Sequence, residues 1–186
     1  MLIAQPGSAP RGLDDAELRK TLALLGAFCM FLSSIEFMIP KPAPFMRIGI
    51  ANLPLMLALD ILPFRAFLAL VGVKVAGQAL ITGTLFSPIL LYSLAGTALA
   101  ALSMYALRRV LGRRVSFIGV GALGAMMSTT AQLGLAWIFV LGAAARFIAP
   151  YFFAAGLLTG VSLGLFCEMF TRRSAWYAAR APGQSL

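Results

Sequence analysis

From Ile35 to Pro54 the chain reads Ile-Glu-Phe-Met-Ile-Pro-Lys-Pro-Ala-Pro-Phe-Met-Arg-Ile-Gly-Ile-Ala-Asn-Leu-Pro. Pro40, Pro42 and Pro44 alternate here, which denies helix to the segment and favours an extended path. Glu36, Lys41, Arg47 and Asn52 lie within or beside it. This is the one place where prolines, both charge signs and an amide are packed between two apolar segments. On both sides the sequence reads as membrane helix.

Composition supports that reading. Hydrophobic residues make up 61% of the 186 and charged residues 11%, and the mean hydropathy is +0.93. A soluble domain carries about 25% charged residues, and 11% is too few to cover a globule of this length. An all-α integral membrane protein is expected. The net charge is +9, but the arginines gather at segment ends, where orientation in a bilayer explains them and nucleic acid does not. There is no histidine, so imidazole catalysis and histidine metal sites are excluded. Cys29 and Cys167 sit inside apolar runs and read as packing residues, with neither disulfide nor zinc spacing.

Working outward, residues 1–20 read as a cytoplasmic segment without a cleaved signal peptide. Six spans are expected between residues 21 and 170: Thr21–Ile39, Ile50–Leu62, Phe64–Ile81, Pro88 to about Leu107, Val115–Leu141 and Phe147–Phe170. The tail is 171–186. Ile50–Leu62 is short for a span, with a re-entrant hairpin as the alternative. Six spans place both termini in the cytoplasm, with eleven Lys and Arg inside, three outside and Lys74 within the membrane; five spans give ten inside and four outside. Gly156, Gly160 and Gly164 form a small-residue stripe suited to close helix packing.

An ionisable side chain within a bilayer needs a partner or a role. Glu36, Asn52, Lys74, Gln78, Ser93 and Gln132, with Thr97, fall at compatible depths in the outer half. With Lys41 and Arg47 above them they form a candidate substrate site in which Lys74 or Arg47 holds an anionic group. A structural Glu36–Lys74 ion pair is the alternative. Asp60 and Glu168, near the inner ends, are expected to pair with Arg65, Arg172 or Arg173. No catalytic residue, metal site or cofactor is indicated. Asp14-Asp15-Ala-Glu17 is only a fragment of an aspartate-rich diphosphate motif, and no Walker loop is present.

Glu36, the Ile-Pro-Lys-Pro-Ala-Pro run, Met46-Arg47-Ile-Gly49-Ile-Ala-Asn52-Leu, Lys74, Thr82-Gly83-Thr84-Leu-Phe-Ser87-Pro88 and Ser93-Leu-Ala-Gly96 together resemble the small bacterial membrane family labelled heptaprenyl diphosphate synthase component I, also called the Gx transporter family. The resemblance covers about Thr21 to Phe170. That family is similar in turn to the S components of energy-coupling-factor vitamin transporters. Those are six-helix proteins with both termini inside, which bind substrate on the outer side and dock on a transmembrane T subunit driven by two ATPases. Ala23-Leu-Leu-Gly-Ala27 resembles their docking motif. The resemblance implies a substrate-binding subunit in the bacterial cytoplasmic membrane for a small vitamin-like or anionic molecule, a flavin by analogy. Its alternative is a non-catalytic membrane partner of a polyprenyl diphosphate synthase in isoprenoid or quinone synthesis.

Overall fold

The computed structural model describes residues 14–40 and 49–181. Among these residues the chain is helical throughout, with no strand. Four segments are long and apolar enough to cross a membrane: Asp15–Met38, Phe64–Ile81, Pro88–Leu111 and Phe117–Arg173. The last of them contains two helices.

Helix α1 (Asp15–Met38) starts six residues before the expected span. The Asp14 carboxylate accepts the Asp15 amide at 2.9 Å, and Asp15 and Glu17 sit in the first turn. Negative charge at a helix start is favourable, so the helix extends past its apolar part. It stops at Met38 because the residue before Pro40 is driven to extended backbone, as Ile39 shows with ψ 124°.

The second expected span, Ile50–Leu62, is not a continuous helix. Ile50–Asn52 form a 3-10 turn behind Gly49, whose φ of +89° places it in the left-handed region. Helix α2 then covers only Leu53–Ala58. Six residues rise roughly 9 Å, far less than a bilayer core of about 30 Å. All six are buried, so α2 is apolar on every side and is wrapped by the other helices.

Helix α3 (Phe64–Ile81) closes at Gly83, where the Thr84 amide donates to the Ala79 carbonyl and the Gly83 amide to that of Leu80. This glycine-centred cap satisfies two terminal carbonyls. Helix α4 (Pro88–Leu111) has Ser87 as its cap and Pro88 in its first turn, where proline's missing N–H costs nothing. Helix α5 (Phe117–Ala136) runs through a π turn at Trp137–Leu141 and a 3-10 turn at Gly142–Ala144 into α6 (Ala145–Arg173).

Helices α5 and α6 pack antiparallel through the expected glycine stripe. A Cβ at Gly160 would lie 2.5 Å from the Gly121 carbonyl oxygen, one at Gly164 2.5 Å from Ile118 Cα, and one at Gly156 2.6 Å from Thr129 Oγ1. The helices meet backbone to backbone, with no room for a methyl group.

Part of the expected tail is folded in. Helix α7 (Ala175–Ala178) buries Tyr177 completely, and Ala181 is buried after it. Arg180 reaches Glu17 at 3.4 Å, so the first and last described turns lie at one end of the bundle. Asp60 meets Arg108 and Tyr177 at that end. The stretch 49–62 therefore carries the chain back from the level of Glu36 to the end where α1 begins. The core runs through Cys29, Leu55, Phe67, Leu70, Met104 and Cys167, with both cysteines as free buried thiols. The outer surface is apolar: Phe31, Met38, Phe86, Ile138, Phe147 and Leu158 are all exposed, as a lipid-facing surface requires.

Candidate functional site: a buried polar layer

Glu36 is 1% exposed, in the last turns of α1. Its carboxylate accepts the Gly49 amide and the Ala51 amide, each at 3.2 Å. Glycine serves at position 49 because the backbone there is left-handed, and that conformation aims the amide at Glu36. The acceptor therefore holds the start of the 3-10 turn by its backbone.

From that turn Asn52 projects toward α3. The Lys74 ammonium, 3% exposed, donates to Asn52 Oδ1 and, at 3.1 Å, to Thr97 Oγ1 on α4. One turn along α3, Gln78 Oε1 accepts a long 3.5 Å bond from Ser93 Oγ. Gln132 on α5 donates to Ser128 at 2.9 Å and sits against Gly96 of α4, where an added Cβ would come 3.1 Å from its amide nitrogen. Glu36, Asn52, Lys74, Gln78, Ser93 and Gln132 thus share one polar layer across α1, the 3-10 turn, α3, α4 and α5. Thr97 completes the seat of Lys74.

Lys41 and Arg47 lie outside the described residues. Ala23 and Ala27 are exposed on α1, on the same outward face as Leu24 and Phe31, away from the polar layer.

A small cavity beside the layer, bounded by Gly49, Asn52, Met56, Ser128, Thr129 and Gly156, has a volume of about 20 Å³, roughly room for one water. In this arrangement the polar groups satisfy one another.

A second polar cluster, at the other end of the bundle, differs from expectation. Asp60 pairs with Arg108 and not with Arg65, Arg172 or Arg173. The guanidinium donates through Nε at 2.8 Å and Nη2 at 2.6 Å to the two carboxylate oxygens, a bidentate fork. Its Nη1 reaches the Val115 carbonyl at 2.6 Å, and its plane lies over the Phe117 ring. The Tyr177 hydroxyl donates to Asp60 Oδ2 at 3.1 Å. Burial pushes the Tyr177 phenol well above its ordinary value, and the negative charge of Asp60 adds to the effect. Arg108 wins because it stands at the end of α4, facing the α2–α3 turn, a pairing between positions 48 apart. Sequence spacing carries no signal of it. Glu168 does pair with Arg172, at 2.8 Å, and also accepts the Phe117 amide at 3.2 Å.

Among the described residues, no three His, Cys, Asp or Glu side chains gather closely enough to hold a metal ion. Each of the three carboxylates inside the bundle is engaged: Glu36 by backbone amides, Asp60 by Arg108 and Tyr177, and Glu168 by Arg172 and Phe117.

Comparison with curated proteins and with solved structures finds no match. The sequence model of one family, described as heptaprenyl diphosphate synthase component I, matches residues 25–170, a range that takes in the polar layer and every helix from most of α1 to nearly the end of α6. The chain belongs to the heptaprenyl diphosphate synthase component I family.

Proposed function

We propose that this protein is a membrane-embedded, non-catalytic partner of a separate polyprenyl diphosphate synthase in isoprenoid or quinone synthesis. The observation that carries the reading is the family match over residues 25–170, in a chain whose outer surface is lipid-like. Prenyl transfer to a diphosphate needs carboxylates free to hold divalent cations. The carboxylates inside this bundle are bound to amides, arginines and a tyrosine, so the chemistry falls to the partner and anchoring to this chain. Co-expression with a soluble prenyl synthase tests the proposal. The two are expected to co-purify, with synthase activity that depends on this chain. A synthase that is fully active alone and does not associate sinks the idea.

A second reading has its own support. It takes the protein as a substrate-capture subunit of a transporter for a small anionic or vitamin-like molecule, energised by a separate T subunit and ATPase pair. A buried lysine between an amide and a hydroxyl, on three elements, is costly to maintain without a role, and Ala23 and Ala27 leave a low-profile face on α1 for another helix. Native mass spectrometry of gently purified protein separates the readings. A retained small molecule that is lost in Lys74→Ala supports capture, and a ligand content unchanged by that substitution removes it.

In either role the proposed topology is six passes through a bacterial cytoplasmic membrane with both ends inside, the stretch 49–62 forming a second pass shielded by its neighbours. The support is the crowding of Arg19, Lys20, Arg65, Arg108, Arg109, Arg172 and Arg173 toward the end that holds the first and last described turns.

A further inference from the structure

The outward face of α6 is exposed along Leu158, Leu165, Phe166 and Met169. At its end the Phe166 and Phe170 rings stack with centroids 6.3 Å apart and planes 13° from parallel. With Met169, Arg173 and Ser174 they line an open groove of about 330 Å³. The groove is continuous with the lipid-facing surface and ends where α6 gives way to α7.

The cations at this end of the bundle are not equivalent. Arg172 is held by Glu168, Arg108 by Asp60 and Arg180 by Glu17. Arg173 is exposed and takes part in none of the ion pairs among the described residues. Ser174 accepts the Tyr177 amide through its hydroxyl oxygen at 3.3 Å, which leaves the hydroxyl proton to donate. An apolar slot thus opens to the hydrocarbon, and a planar guanidinium with a hydroxyl beside it closes the other end.

We propose that this groove seats one anionic phospholipid, an acyl chain lying along Phe166, Met169 and Phe170 and the headgroup phosphate held by Arg173 with Ser174. Guanidinium matches phosphate through paired donors. The excess of arginine at this end favours a headgroup with net negative charge over a zwitterionic one. The site does not depend on either functional reading above.

The test reconstitutes the full chain in vesicles of equal phosphatidylglycerol and phosphatidylcholine, extracts it gently and weighs bound lipid by native mass spectrometry. Wild type is expected to retain one phosphatidylglycerol in preference to phosphatidylcholine. Arg173→Ala should lower that retention roughly fivefold, the effect of one cation at a membrane surface. Phe166→Ala, at an exposed position, should lower it through the chain contact. Arg109→Ala, another exposed arginine at the same end, should leave it unchanged. Equal loss in the Arg109 and Arg173 variants would reduce the effect to diffuse surface charge and overturn the proposal. So would equal retention of both lipids, or displacement of the lipid by inorganic phosphate.

Discussion

The Tyr177 hydroxyl and the Asp60 carboxylate meet at 3.1 Å across 117 positions of sequence. This bond ties α7, the last described helix, to the turn between α2 and α3, over the guanidinium of Arg108. It makes residues 174–181 part of the folded bundle.

Tyr177→Phe removes one hydrogen bond while keeping the ring in its buried place, and should lower stability by about 1 kcal/mol. Asp60→Asn leaves Arg108 without its counter-charge in a mostly buried site and should cost about 3 kcal/mol. Thermal unfolding in one detergent compares them. The ordering, with the Asp60 variant worse, is the expected result.

The same phenol predicts an alkaline limit. Its folded-state pKa is raised above the ordinary 10.0, so the folded protein keeps a proton that the unfolded chain releases. The stabilisation is complete below pH 10 and is lost as pH rises toward the folded value, with a slope of up to about 1.4 kcal/mol per pH unit from this group. Unfolding measured between pH 9 and 12, with phenolate absorbance followed alongside, should show a shallower slope above pH 10 in Tyr177→Phe than in wild type.

In the polar layer, Asn52→Ala takes away one acceptor of the Lys74 ammonium and should destabilise by about 1–3 kcal/mol. Ser93→Ala breaks only a 3.5 Å contact, too long to contribute much, and should change stability by less than about 0.5 kcal/mol. Equal effects in chemical denaturation would show that the layer is not organised around Lys74.

Between α5 and α6, Gly121→Ala places a methyl carbon 2.3 Å from the Gly160 carbonyl oxygen. Backbone must move, so a loss of about 1–3 kcal/mol or more is expected. Gly72→Ala on α3 meets nothing within 4 Å and should be neutral or slightly stabilising through better helix propensity. Comparing the two Tm values checks the claim.

Much of this was readable from residues alone. The apolar runs gave the long helices because lipid selects for length and hydropathy, and the glycine spacing on α6 marked a face for close packing, though not α5 as its partner. The shared level of Glu36, Asn52, Lys74 and Gln78 followed from counting along helices. The partners did not. Glu36 holds amides whose direction depends on the left-handed Gly49, and Asp60 finds Arg108 through tertiary approach. Nothing in the tail 171–186 marked Tyr177, because a four-residue helix gives no periodic signal. The length of α2 was misread for the related reason that Ile50–Leu62 is continuously apolar, while Gly49, Pro54 and Pro63 limit how much of it can be regular.

The Glu36 and Lys74 side chains grip opposite sides of one short step of chain, the acid by its amides and the base by the Asn52 side chain. The formal charges of that step and its two holders therefore cancel. Losing either charge alone would leave the other uncompensated in a medium that penalises any surplus.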